Sequence, residues 1–233
     1  MNPFDQTPPR LAVFDCDGTL VDSQHNIVSA MDAAWRAFGL EPVPGAAVRR
    51  VVGLPLVEAI ATLHPDGCGD DHLMLSAYYK DAFRTLRERP DHREPLYPGT
   101  VEALDALART GTLLAVATGK SRKGLLATLD RHGLSDRFIV LKTADDGPGK
   151  PNPAMMLHAM AETGAAPEHT VMVGDTVFDI EMARAARTAA IGVSWGYHEP
   201  AELSAAGAHH VIDTFGELEG ALAGLWGGAD ANR

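Results

Sequence analysis

Six short runs, each about the length of a strand and each closed by Gly, Asp or Thr, constrain this chain more than any other feature. They are LAVFD (11–15), TLLAVATG (112–119), FIVLK (138–142), TVMVGD (170–175), AAIGVSWG (189–196) and HVID (210–213). The runs are mostly apolar throughout instead of alternating, which is what strands buried on both faces require, and a parallel sheet covered by helices buries them that way. The intervals between them carry helical spacing: Val101, Leu104 and Leu107 before the second run, then Leu125, Leu126 and Leu129 after it. Met155, Met156, Ala159 and Met160 continue the pattern and read as core filling. Strand and helix alternate, so the expected fold is α/β, a doubly wound parallel sheet of the Rossmann-like kind.

One interval breaks the rhythm. Between Asp22 and Glu94 no strand pattern occurs, only helical ones: NIVSAMDAAWRAFG (26–39), LVEAIATL (56–63) and DDHLMLSAYYKDAFRTLRE (70–88). A helical block between the first and second strands is an insertion that hangs over the carboxyl end of strand one. The polar, proline-containing stretch RPDHREPLYPG (89–99) brings the chain back. The expected organisation is therefore a core of residues 1–21 and 95–233, with an α-helical cap at 22–94. The last nine residues, LWGGADANR, read as a frayed tail.

A chain of 233 residues buries a sizeable core without staples. Its two cysteines, Cys16 and Cys68, are far apart and form no disulfide or zinc pattern, as a reducing compartment allows. A net charge of -11 opposes general attraction to nucleic acid or to an anionic membrane, so any phosphate binding has to be local. No apolar run approaches the roughly 18 residues of a membrane span, and MNPFDQTPPR lacks a secretory core. The expectation is a soluble, cytoplasmic protein with neither nucleic acid nor membrane as partner.

The strand ends carry the chemistry. Asp15 and Asp17 close the first run, Thr118 the second, and Asp175 with Asp179 the fourth, while Lys150 lies in the loop DDGPGKPNP after the third. A parallel sheet brings all of these to one edge, although they are distant in sequence. Carboxylates gathered without compensation repel one another, so such a cluster needs a cation. Lys150 supplies one charge and a divalent metal two more; oxygen donors without His or Cys favour Mg²⁺, which leaves room for substrate phosphate. One carboxylate can then attack phosphorus, and a second, two residues on, can trade protons with the leaving group and water. Gly18 lets the backbone turn so that N–H groups can face phosphate.

DCDGT (15–19), Thr118, Lys150 in GKPNP, and GDTVFD (174–179) together resemble the four ordered motifs of the haloacid dehalogenase superfamily. The resemblance implies Asp15 as nucleophile and Asp17 as general acid/base. Mg²⁺ would be held by the Asp15 side chain, the Asp17 carbonyl and Asp175, with Asp179 supporting the metal or the lysine. Thr118, Gly119 and Lys150 would hold the phosphoryl oxygens, and the helical block would be the family's cap. GTLVDS, VVGLPL, LYPGTVEALDAL, KPNPAMML and GVSWGYHEPAEL are similar to phosphoglycolate phosphatase-type members. The implied activity is Mg²⁺-dependent hydrolysis of a small phosphorylated metabolite. Thr118-Gly119-Lys120 departs from the Thr-Asn-Lys associated with the phosphoglycolate branch.

Other readings stand beside this one. A sugar phosphomutase would use the same core and return the phosphoryl group to a sugar; a phosphoaccepting signalling module also gathers acids, Thr and Lys at a sheet edge but has no helical insertion. Thr118 can serve simply as a helix N-cap, and Asp179 suits the first turn of a helix in any case. Arg49 and Arg50, ahead of the bend at Gly53 and Pro55, are candidate contacts for a substrate anion or else part of a solvated helix face. Tyr78 and Tyr79 read as cap packing.

Overall fold

The computed structural model describes residues 8–231, with side chains described through residue 227. Six strands form one parallel sheet: β1 (Leu11–Phe14), β2 (Leu113–Ala117), β3 (Val140–Lys142), β4 (Thr170–Gly174), β5 (Ala189–Val193) and β6 (His210–Ile212). Their spatial order is β3-β2-β1-β4-β5-β6. The chain winds outward in one direction from β1 and then in the other, so the switch point lies between β1 and β4. In sheets of this kind that point opens a crevice at the carboxyl ends of the strands.

Period-two alternation divides the buried side chains between two faces. Ala12, Phe14 and Cys16 point to one face, where they meet Leu104 and Leu107 of α5 (Thr100–Arg109) and Leu125 and Leu129 of α6 (Arg122–Arg131). Leu11, Val13 and Met172 point to the other. There they meet Met155, Met156 and Met160 of α7 (Ala154–Thr163) and Ile180 and Met182 of α8 (Val177–Ala185), so the methionine stripe is core.

The helical block has its own apolar centre. Ile27, Met31 and Trp35, one stripe of α1 (Gln24–Phe38), pack with Val48 of α2 (Gly45–Arg50), Ile60 of α3 (Leu56–Leu63) and Leu75 of α4 (Gly69–Glu88). From the core, Tyr197 reaches into this cluster. The entering and leaving chains run side by side: Val21 and Leu96 form an antiparallel bridge, and the Asp22 N–H donates to Pro95 O at 2.8 Å.

The expected tail is corrected. α9 (Pro200–Ala205) is followed by α10 (Leu218–Ala231), and Leu218, Leu222 and Trp226 of α10 are buried against the first face. Four glycines, at 220, 224, 227 and 228, lower helix propensity and hide this stripe, which tertiary burial stabilises. Residues 232 and 233 of the tail, and residues 1–7 of the leading segment, lie outside the described residues.

Candidate active site

The backbone continues the β1 ladder one step past the strand, with the Asp15 N–H donating to Val173 O at 3.0 Å. Alternation then sends Cys16 into the core and leaves Asp15 and Asp17 on the opposite side. Gly18 follows at φ +83°, and a Cβ there would overlap the Asp175 carboxylate and the Tyr197 ring. Only glycine meets both the conformation and the space.

Lys150 is fully buried between two carboxylates, with its Nζ 2.8 Å from Asp15 Oδ2 and 2.5 Å from Asp179 Oδ1. Asp179 is fixed from behind by the capping box that opens α8: its Oδ2 accepts from Thr176 N–H at 3.0 Å and Thr176 Oγ1 at 2.7 Å. Asp175 accepts from Thr19 Oγ1 at 2.7 Å and from Tyr197 N–H at 3.0 Å. One carboxylate oxygen from each of Asp15, Asp175 and Asp179 lies within 4.8 Å of the others, and all three residues are buried.

Three buried carboxylates thus lie together with one lysine, which is paired with two of them. Burial pushes the Asp15 carboxyl up to about 6 against the pull of Lys150, with Asp179 adding to the rise. Asp175 is driven well above the usual carboxylate range, first by burial and then by Asp179 and Asp15. The uncompensated charge and the all-oxygen donor set fit a hard divalent cation such as Mg²⁺. Each carboxylate offers about four lone-pair positions, so the bonds present leave capacity for a metal.

Asp17 belongs to a different cluster. Its Oδ1 accepts from Ser23 Oγ at 2.5 Å and is paired with Lys120 Nζ, whose second partner is Glu94 Oε1 at 3.0 Å. Burial favours the neutral amine of Lys120, but Asp17, Cys16 and Glu94 together hold its pKa above the usual lysine value. The metal-type triad does not include the Asp17 side chain, which leaves its carbonyl as the contribution the resemblance implies.

Thr118 is buried at the end of β2, where its N–H donates to Lys142 O at 3.0 Å. It is not the cap of α6. Ser121 is, accepting from the Gly124 N–H at 3.2 Å, so the Thr118 hydroxyl is free of that duty. Gly119 lies under the helical block, and a Cβ there would sit 3.4 Å from the Gly53 carbonyl oxygen.

Asp15, Asp17, Thr118, Gly119 and Lys120 open onto one cavity of about 670 Å³. Its far wall comes from the helical block: Ile27, Met31, Val48, Val51 and the turn Gly53–Pro55, with Tyr79, Phe83, Arg84 and Arg87 of α4. Arg50 is placed elsewhere. Its guanidinium makes a bidentate pair with Glu202, at 2.6 and 2.7 Å, and neither it nor Arg49 is among the cavity residues, so the structure does not place the expected contact at the cavity. The structural reason is that Arg50, the last residue of α2, turns to Glu202 of α9.

Sequence reasoning missed Lys120, Glu94, Ser23 and Tyr197, and it read Tyr79 as packing although that residue also lines the cavity. Lys120 had a signal, its place two residues after Thr118. Glu94 had none, because an acid in a polar connecting stretch is ordinary.

Residues 12–193 match the haloacid dehalogenase-like hydrolase family. The chain is 39% identical over 216 residues to a probable phosphatase, IndB, of Dickeya dadantii, covering 92% of this chain and 94% of that one. It is 31% identical over 217 residues to a phosphoglycolate phosphatase of Vibrio vulnificus, covering 90% and 94%. Among solved structures, a hydrolase from Pseudomonas syringae superposes with a TM-score of 0.82 at 27% identity, covering 92% of this chain and 98% of that one. With motifs, sheet order and relatives in agreement, the chain belongs to the haloacid dehalogenase-like hydrolases.

Proposed function

We propose that this chain is a Mg²⁺-dependent phosphatase that hydrolyses small organic phosphate monoesters through an aspartyl phosphate on Asp15. The observation that carries the reading is the division of carboxylates: Asp15, Asp175 and Asp179 are buried close together, two of them paired with Lys150, while the Asp17 side chain is held apart by Ser23 and Lys120, and Asp15 and Asp17 both line the cavity. Relatives named as phosphatases support hydrolysis of a phosphate ester as the reaction class.

Asp15, Asp175 and Asp179, with the Asp17 carbonyl, would hold the metal, which supplies charge neutralisation for the phosphoryl oxygens. Asp15 attacks phosphorus as the bond to the leaving oxygen breaks, and Asp17 delivers the proton that oxygen needs. Asp17, now a carboxylate, takes a proton from water as the water attacks the acyl phosphate, which frees Asp15 and inorganic phosphate. Thr118, the Gly119 backbone and Lys150 orient the phosphoryl group throughout. Residues 22–94 act as the cap, closing over the leaving group and selecting it. We place the activity in the cytoplasm, in keeping with two unpaired cysteines.

Phosphate release from a panel of phosphoglycolate, sugar phosphates, nucleotides and pyrophosphate tests the reading. Turnover of one or more monoesters is expected, lost in Asp15→Asn with the fold retained and lost reversibly with EDTA. Near-wild-type turnover in Asp15→Asn, or an isomerised sugar phosphate in place of inorganic phosphate, would refute it.

A further inference from the structure

We propose that Lys120, anchored by Glu94, is a positioning residue for Asp17, fixing which of its carboxyl oxygens hands the proton to the leaving group. This rests on the monoester-hydrolysis reading above and adds to it a role for Lys120, two residues after Thr118, and for Glu94 of the connecting stretch.

The argument begins with burial. The side chains of Lys120, Asp17 and Glu94 are 7%, 13% and 1% exposed, so their mutual attraction is weakly screened. Glu94 is held firmly: its Oε2 accepts from Thr128 Oγ1 at 3.0 Å, and His132 Nε2 lies 2.8 Å from its main-chain oxygen. Lys120 also lies over the Phe83 ring of α4, 5.7 Å from its centre. A long flexible side chain is thereby confined to one position.

The result is directional. Lys120 Nζ and Ser23 Oγ both converge on Asp17 Oδ1, and Ser23 is itself oriented by the Tyr197 hydroxyl at 3.1 Å. Among the described residues, Oδ2 has no hydrogen-bond partner, which makes it the oxygen available to carry the mobile proton. The proton leaves Oδ2 for the departing oxygen as the phosphorus–oxygen bond breaks, and Oδ2 later recovers one from water. Two donors on Oδ1 hold the carboxyl in one rotamer for both transfers.

Leaving groups of different basicity separate positioning from simple substrate binding. An alkyl phosphate needs protonation and p-nitrophenyl phosphate scarcely does, so Lys120→Met should lower kcat about 100-fold on the first and less than about threefold on the second. In an Asp17→Asn background Lys120→Met should add less than about threefold with phenyl phosphate, because two residues acting through one step are not additive. Should Lys120→Met fail to fold, the pair Lys120→Met/Glu94→Leu removes both charges and leaves Thr128 its bond to the Gly124 carbonyl, and the same selectivity is expected. Equal losses on both leaving groups, a rise confined to KM, or a full loss in the Asp17→Asn background would each overturn the inference. A wild-type protein that releases phosphate from no monoester would instead overturn the parent reading.

Discussion

Two lysines at this site each bridge two carboxylates, and their surroundings part them. Lys150, between Asp15 and Asp179, is wholly enclosed beneath the ends of β1 and β4. Lys120, between Asp17 and Glu94, lines the cavity and ties β1 to the chain returning from the helical block. The first cluster contains more carboxylates than its lysine can balance, as the raised Asp15 and Asp175 show. In the second, a buried lysine is held charged by its carboxylates. The same three-residue geometry therefore serves two ends: one gathers negative charge that calls for a metal, and the other holds a single carboxyl still.

The largest expected effect breaks the first cluster. Lys150→Met leaves buried carboxylates facing one another and removes a cation from the phosphoryl site. Turnover should fall by at least about 100-fold for every leaving group alike, and the chelated protein at pH 8 should melt about 10 °C lower. Steady-state kinetics on alkyl and p-nitrophenyl phosphates, with thermal melts, would check both. A loss confined to alkyl esters would erase the contrast with Lys120.

A smaller effect concerns pH. Because burial raises Asp15 from 3.8 to about 6, its protonated form favours the folded state. That contribution is complete below pH 4 and is lost as pH climbs through 6. Asp15→Asn has no such titration. In chelated protein its stability relative to wild type should therefore rise between pH 4 and 7 by on the order of 2 kcal/mol. Urea unfolding at a series of pH values measures this, and Mg²⁺ should narrow the gap by stabilising wild type. A flat difference would mean that Asp15 is not strained by its neighbours.

The smallest effect lies outside both clusters. The Arg50–Glu202 pair is half exposed, and exposed pairs contribute little to stability. Arg50→Ala should lower the melting temperature by less than about 3 °C and leave kcat and KM unchanged. A large rise in KM would bring Arg50 back to the substrate.

The contrast between the clusters also marks how far the sequence could be read. Asp15, Asp175 and Lys150 were legible because each stands next to a strand-length apolar run or in its closing loop, where topology alone implies convergence. Thr118 was legible for the same reason, although its capping alternative was settled only when Ser121 proved to cap α6. Glu94 was not legible, because its role depends on the returning chain lying against α6, with Thr128 and His132 as partners. The Arg50 pairing with Glu202 was not legible, because a helix face seen in sequence gives no direction toward α2's neighbours. The helix through Trp226 was missed because glycine-rich composition outweighed a three-residue stripe.

Taken alone, the amino-acid order determined the α/β architecture, the place of the helical insertion and the residues at the strand ends. Those follow from local periodicity and from where apolar runs stop, which need only neighbouring residues. Tertiary structure alone decided which oxygen of Asp17 is held, that Glu94 anchors Lys120, and that the cavity wall is Tyr79, Phe83 and Arg87 with no part from Arg50. These depend on how α4 and the 89–99 segment dock on the core. Side chains far apart in sequence settle there within hydrogen-bond distance, a matter of packing that no local pattern encodes.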